Sequence, residues 1–450
     1  MGEKIMGKKI DTKEITKYLA YTPAGMSLEE HSGWGTLLFA TSRACNLSCY
    51  GCWTSVTNRI VKKQLKEGAE WLYDNFYDIN VLDSILRKFS KENGQLVACM
   101  SDGEPLVSAN YHFTSELAKS CGRNNLPLLL FTNGLYLDKI RIAELVGYTL
   151  NKISFCVSLQ TGNKERYGDF MLIDKKNNTG EKVFNKLEEN YDAWMDFDKD
   201  ILAKTGMHGI AIHTYIIPGK TKTEDIESLK HVVEILGDVP FIVSTMGLNT
   251  YASLKGLSIN TTGKSMDLIR QYLTGPTALL TVGENDKSKL CSYIAHGNYP
   301  LEQSPRIFGI TFNPFYKGQL QTCPYHTVIG SSDWLNLRDY LDVMKEQGKR
   351  ITDEYISSWL ENAIKVETMI TTAAFDFIGY EHCLMRHSKK AEIDLFISGI
   401  NIEMAKNKNS IKLNINNDKY FDTIVEKLFE AIENYIHSRK FNISKNNIKL

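Results

Sequence analysis

Between Gly35 and Thr245, short apolar segments alternate with helical stretches, and this rhythm limits the possible folds more than any other property of the chain. The strand candidates are Gly35–Thr41, Leu96–Met100, Pro127–Phe131, Ile153–Leu159, Ile210–Ile217 and Phe241–Thr245. Helical patterns lie between them at Ile60–Asn75, Val81–Lys91, Tyr111–Cys121, Arg141–Val146, Glu181–Leu202 and Thr223–Leu236. Strands this short, apolar throughout and separated by helices predict parallel βαβ units with both sheet faces covered. Six of them in series predict an α/β fold, a partial (β/α)6 TIM-like barrel whose reactive loops leave the C-terminal ends of the strands. The polar segments Ser101–Pro105, Thr132–Gly134, Ser158–Gln160 and Pro218-Gly219 all fall at such ends.

The rhythm changes after about residue 250. Ile307–Phe312 and Gln319–Thr322 flank Asn313–Gly318, which reads as a β-hairpin with its turn, and helical patterns resume at Leu337–Glu346 and Asp353–Val366. Phe421, Val425, Leu428, Ile432 and Ile436 repeat at helical spacing, as a docked amphipathic helix requires. The expected division is an N-terminal extension over 1–34, the barrel over 35–250, a small α+β unit over 251–390 and a C-terminal helical extension over 391–450. A chain of 450 residues is long enough for two or three such units.

The formal net charge is zero, so bulk electrostatics favours neither nucleic acid nor an anionic membrane as partner. No run of eighteen apolar residues is present, and the first residues are polar, without the apolar stretch of a signal peptide. A cytoplasmic location is therefore expected. In that setting nine cysteines point to thiolate chemistry or metal ligation rather than disulfides. Cys99, Cys121 and Cys156 sit within apolar strands or a helix and read as core, whereas Cys45, Cys49 and Cys52 crowd one loop.

That loop follows the first strand with the spacing C-x3-C-x2-C. Three thiolates on one short loop can each hold one iron of a cubane cluster and leave the fourth iron open. Zinc is the competing metal, but a closed zinc site needs a fourth ligand, and no His or Cys follows within a few residues of Cys52.

The spacing, placed after the first strand of a β/α series, resembles the signature of the radical S-adenosylmethionine (SAM) superfamily, and the likeness extends over about residues 35–250. The resemblance implies a [4Fe–4S] cluster on Cys45, Cys49 and Cys52 that cleaves bound SAM reductively. Ser101-Asp102-Gly103-Glu104-Pro105 is similar to the family's Gly-Glu-Pro motif, which assigns Gly103 and Glu104 to the SAM amino group. Asn133, in Thr132-Asn133-Gly134, matches a strand-end turn beside SAM, and Ser158 and Gln160 match the segment that binds its ribose and carboxylate. Ile216–Gly219 resembles the adenine-packing segment, and Arg166, on the loop after the fourth strand, is a candidate partner for the carboxylate. Where the family has an aromatic residue before the third cysteine this chain has Gly51, with Tyr50, the candidate adenine contact, next to it.

Cys291, Cys323 and Cys383, with Gly318 ahead of Cys323 in a G-x4-C pattern, are similar to SPASM or twitch extensions. That likeness implies a second [4Fe–4S] cluster, its fourth position open or filled by a residue such as His326, His382 or His387. Free cysteine is also a common core residue, which is the plain alternative. The implied activity is hydrogen abstraction in the biosynthetic modification of a peptide or small metabolite, with a reductant such as flavodoxin or ferredoxin. An RNA-modifying enzyme and a non-catalytic metal-bound scaffold are the alternatives. Only 34 residues precede the first strand, too few for an independent leader-peptide-binding core. No residue is singled out as catalytic acid or base.

Overall fold

The computed structural model describes residues 36–41, 44–47, 49, 52, 79–94, 96–99, 103–171, 179–217, 220–245, 278–281, 310–313, 318–321 and 336–364, with scattered helical positions between 399 and 434. Tyr50, Cys291, Cys323 and Cys383, the three histidines named with them and the helix expected over Ile60–Asn75 lie outside the described residues.

Among the described residues nine strands form one sheet: β1 (Thr36–Phe39), β2 (Leu96–Cys99), β3 (Leu128–Thr132), β4 (Ile153–Ser158), β5 (Ile210–Ile216), β6 (Phe241–Thr245), β7 (Ala278–Thr281), β8 (Ile310–Asn313) and β9 (Gln319–Gln321). Their order is β7-β6-β5-β4-β3-β2-β1-β8-β9, so β1 to β7 lie side by side in chain order, each parallel to the next. This is the expected partial barrel. The helices between these strands are α1 (Ile79–Lys91), α2 (Ser108–Arg123), α3 (Lys139–Tyr148), α4 (Lys164–Met171), α5 (Thr179–Glu188), α6 (Tyr191–Thr205) and α7 (Thr223–Ile235). Two more follow the sheet, α8 (Leu337–Glu346) and α9 (353–364).

The hairpin forms as expected, β8 against β9 with Gly318 at φ +64° in the turn, but it does not open a separate layer. Its first strand pairs in parallel with β1, Leu37 opposite Ile310, and so extends the barrel sheet. Chain folding, rather than sequence distance, decides this: β1 has a free edge once β2 is paired, and an unpaired apolar edge is filled where a strand is at hand. Helices α8 and α9 likewise bury Leu337, Tyr340, Ile356, Trp359 and Leu360 in the same core as the barrel helices.

Alternation along each strand divides the core in two. Leu37, Phe39, Val97, Cys99, Leu128, Leu130, Phe155, Val157 and Ile212 face the helices, whereas Leu38, Leu96, Ala98, Leu129, Cys156 and Ala211 line the opposite, inner face. Cys99, Cys121 and Cys156 are buried, as expected of core thiols. On α1 the buried set is Val81, Leu82, Ile85, Leu86 and Phe89, one stripe at helical spacing, and each large apolar side chain so buried contributes about 1.5–3 kcal/mol.

The long helix expected over Glu181–Leu202 is two helices, α5 and α6. The break is at Asn190, whose amide Nδ2 donates to the carbonyls of Gly134 at 3.0 Å and Leu135 at 3.4 Å. One turn on, the Trp194 indole donates to the Leu137 carbonyl at 2.8 Å. Two residues of α6 thereby hold the loop after β3, whose Gly134 has φ +80°. Its missing side chain matters, because a Cβ there would stand 2.8 Å from the Trp194 ring. Replacing Gly134 by Ala adds backbone strain to this clash and is expected to cost about 1–3 kcal/mol, read as a lower urea midpoint with an unchanged slope.

Candidate functional site

The polar residues assembled at the C-terminal ends of the strands come from the loops after β1, β2 and β3. The first is the cysteine loop. Cys52 closes a tight turn by donating its N–H to the Cys49 carbonyl at 3.2 Å, and the Leu47 N–H points to the Cys45 sulfur at 3.4 Å. Leu47 and Cys49 pack against the helix-side core, which fixes one side of the loop. On that side the Cys49 thiol meets the Met171 sulfur of α4 at 3.3 Å.

Three hydrogen bonds join this loop to its neighbours. The Ala44 carbonyl accepts the Glu104 N–H at 2.9 Å and the Asn110 side-chain amide at 3.1 Å. The same amide also donates to the Glu104 carbonyl at 2.9 Å, so a fully buried Asn110 at the start of α2 spans both loops. From the β3 end, the Asn133 amide donates to the Asn46 side chain at 2.9 Å.

Glu104 is the centre of the arrangement. Its carboxylate, 3% exposed, accepts from the Leu106 N–H at 3.1 Å, the Thr132 hydroxyl at 2.6 Å and the Asn133 N–H at 2.7 Å. All three donors are neutral, and no cation offsets the charge among the described residues. Burial therefore pushes the carboxyl up to about 7, while the three donors pull it back. A buried anion held by neutral dipoles is a ready partner for an ammonium group.

Cys45 and Cys49 carry the same signature. Cys45 opens to solvent, yet its dense surroundings push its thiol up to about 12, with Glu104 and Cys52 adding repulsion. Burial likewise raises Cys49 well above the ordinary thiol range. Ionisation of Cys45 and Cys49 beside the Glu104 carboxylate is therefore opposed until positive charge arrives. No three of the described His, Cys, Asp and Glu side chains converge on a point that a single ion would fill. Three thiolates on one loop can each bind a different iron of a cubane, so the donor set fits a [4Fe–4S] cluster.

The other expected residues divide. Gly103 is half-buried beside Glu104, and Asn133 lies in the network just described. Gln160 is buried and accepts the Tyr215 N–H at 3.2 Å, which ties the end of β4 to β5. Ser158 is half-buried opposite His213 in the β4–β5 register. Arg166 departs from expectation. It lies on α4, not in a loop, and its Nε and Nη2 clasp the buried Asp225 carboxylate of α7 at 2.7 and 2.8 Å. Its fork is thus committed to joining α4 and α7, with a further bond to the Lys220 carbonyl at 3.2 Å.

Sequence reasoning missed Asn110 and His213, and named Thr132 only as part of the turn that carries Asn133. Asn110 carried a signal, a lone amide on the buried face of α2. His213 and Tyr215 stand at alternate positions of β5, their rings 4.4 Å apart and edge to face, and the Phe131 ring lies 6.4 Å from the imidazole. Burial lowers His213 to about 4, so the imidazole is neutral at ordinary pH.

Residues 39–232 match the family model of the radical SAM superfamily. No curated protein matches the sequence. Among solved structures, Streptococcus suis SuiB aligns over 67% of this chain and 62% of its own, at 16% identity and a TM-score of 0.41. The chain thus spans less than two thirds of that protein's length. SuiB bound to its precursor peptide SuiA aligns over 68% and 64%, at 16% identity and a TM-score of 0.40. A Ruminococcus gnavus sialic acid aldolase catalytic lysine mutant aligns over 92% and 99%, at 12% identity and a TM-score of 0.27.

Two outcomes are expected. Without SAM, ionising Glu104 in the folded chain is opposed by burial. Below its ordinary value of 4.5 the carboxyl is protonated in both states and contributes nothing. Between 4.5 and about 7 the unfolded chain releases a proton that the folded chain keeps, so stability falls as pH rises and the loss is complete above 7. The full loss is about 3 kcal/mol. Melting curves from pH 5 to 8 should show it in the wild type and not in Glu104→Gln. Separately, Arg166→Ala leaves the Asp225 carboxylate buried and unpaired, and should lower stability by about 3–5 kcal/mol whether or not SAM is present.

Proposed function

Because residues 39–232 match the radical SAM family model, we propose that this chain is an enzyme that holds a [4Fe–4S] cluster on Cys45, Cys49 and Cys52 and cleaves SAM there. The observation that carries the reading is the Glu104 carboxylate: buried, bonded among the described residues to neutral donors, and tied through Ala44 to the cysteine loop. When bound, the cluster supplies the electron that breaks the SAM sulfonium, giving a 5′-deoxyadenosyl radical that takes hydrogen from a substrate.

The chain's own residues bind, orient and shield. Glu104 receives the SAM amino group, and an ammonium there removes the penalty that raises its carboxyl. Gly103, without a side chain, allows backbone to approach the ligand. Asn133 holds the Glu104 carboxylate through its N–H and the cysteine loop through its amide, so one residue sets the spacing between the two halves of the site. Ser158 and Gln160, at the end of β4, are assigned to the ribose and carboxylate, and Tyr50 to the adenine. The apolar inner face of the sheet below, with Phe131 and the neutral His213, keeps the reacting centre dry.

The substrate class proposed is a peptide or small metabolite. The reading extends to a second [4Fe–4S] cluster on Cys291, Cys323 and Cys383, and to flavodoxin or ferredoxin as electron donor.

The test is iron and sulfide content after anaerobic reconstitution, with 5′-deoxyadenosine formation from SAM and dithionite followed alongside. About eight irons, falling to about four in the Cys45/Cys49/Cys52→Ala triple variant with SAM cleavage abolished, is the expected result. About four falling to none removes the second cluster from the proposal. Zinc in place of iron, or a fully loaded wild type that leaves SAM intact, refutes the central reading. Glu104→Gln keeps the cluster but is expected to weaken SAM binding about tenfold or more, since a charge-assisted bond becomes a neutral one.

A further inference from the structure

The ends of β1, β2 and β3 are gathered around Glu104, a buried carboxylate that accepts from neutral donors. A second buried carboxylate, Asp225 in the first turn of α7, stands beside the loops that follow β4 and β5, and its surroundings are the reverse. Its oxygens accept from Arg166 Nε at 2.7 Å, from Arg166 Nη2 at 2.8 Å and from the Lys222 N–H at 2.8 Å. A two-pronged guanidinium contact fixes orientation as well as distance. Both oxygens of Asp225 are thus taken by the chain itself.

The pair holds loops as well as helices. Arg166 Nη2 also donates to the Lys220 carbonyl at 3.2 Å, and Asp225 binds the Lys222 N–H, so the turn after β5 is gripped at both ends. Between these points the Thr221 hydroxyl accepts the Ile217 N–H at 2.9 Å, and the Ile217 carbonyl accepts the N–H groups of Lys220 and Thr221 at 3.0 Å. The loop after β4 is seated on the same turn of α7. The Ser228 hydroxyl donates to the Asp225 carbonyl at 2.8 Å, and its oxygen accepts the Gly162 N–H at 3.0 Å. A Cβ on Gly162 would stand 2.4 Å from the Ser228 carbonyl oxygen, so this loop lies directly on the helix. Gln160, two residues earlier, accepts the Tyr215 N–H and joins the two strand ends.

We infer that Arg166, Asp225 and Ser228 are positioning residues for SAM, which hold the loop after β4 and the turn after β5 in the geometry that receives it. The inference rests on the reading of Ser158, Gln160 and the end of β5 as the part of the site that meets the ribose, carboxylate and adenine. The three residues act through the backbone of these loops and not by touching SAM. Their contribution is preorganisation, because order already present in the free protein is not lost on binding.

The experiment is calorimetric titration of SAM into the reconstituted full chain, with iron content and the rate of 5′-deoxyadenosine formation read on the same samples. Asp225→Asn turns one accepting oxygen into a donor, so at least one of the three bonds to the carboxylate is lost. Glu224 at 3.3 Å and Asp169 at 3.8 Å still face the Arg166 guanidinium in that variant. Ser228→Ala is milder and releases the Gly162 N–H. Asp198→Asn is the control, since that buried carboxylate accepts the N–H groups of Gly209 and Ile210 at the opposite end of β5. The expected result is a SAM dissociation constant raised about tenfold in Asp225→Asn and about threefold in Ser228→Ala, with full iron and kcat kept, and no change in Asp198→Asn. Unchanged affinity in either iron-loaded variant, or an equal loss in Asp198→Asn, overturns the inference and leaves the proposed function standing. A wild type that binds no SAM overturns both. Should Asp225→Asn not fold, Ser228→Ala decides by the same criterion.

Discussion

A carboxylate buried without a cation is an expensive group to keep, and at Glu104 three separate strand ends are arranged to keep it. The donors come from its own loop and from the end of β3, while its backbone N–H reaches back to Ala44 on the loop after β1. Each bond is ordinary in length. Together they fix the distance between the cysteine loop and the turn at Asn133, which no single strand sets by itself. The charge is not neutralised from within the described residues, and the proposed SAM site rests on that feature.

The network depends on parts of the fold that never approach it. Asn190 and Trp194 of α6 hold the turn that carries Asn133, and Gly134 lets that turn pass against the indole. Arg166 and Asp225 fasten α4 to α7. With α4 held, Met171 is set against Cys49, although α4 follows β4 and the cysteine loop follows β1. Neighbouring strands are about 4.8 Å apart, so β1 and β4 would stand roughly 14 Å apart in a flat sheet. The contact fits a sheet that curls, bringing its C-terminal ends over one another as in a barrel.

The sheet is longer than the six-strand rhythm suggested. Parallel strands β1 to β6 were legible because each is a short apolar run closed by polar or glycine-rich residues, a pattern that local composition alone produces. The places of β7 and β8 were not, since a strand's partner is chosen by which edge lies free in space. For the same reason the hairpin of β8 and β9 was readable as a hairpin, from its turn, but not as the neighbour of β1. The split between α5 and α6 was missed because Asn190 interrupts a continuous helical pattern only through a bond to a distant loop.

What the sequence determined by itself was the chemistry on offer. The spacing of Cys45, Cys49 and Cys52, the Gly103-Glu104-Pro105 turn and the placement of both after apolar strands are local features, and local features survive reading in one dimension. Which side chains those residues meet was decided only by tertiary structure. Arg166 looked available for a ligand carboxylate and proved to be committed to Asp225, while Asn110, unremarked in the sequence, turned out to bridge the cysteine loop and the Glu104 loop, and Thr132, named only as part of a turn, to bond the Glu104 carboxylate. The physical reason is that hydrogen bonding and burial are properties of neighbours in space. A guanidinium, an amide or a phenol has the same sequence signature on a surface as in a site, and only packing distinguishes them.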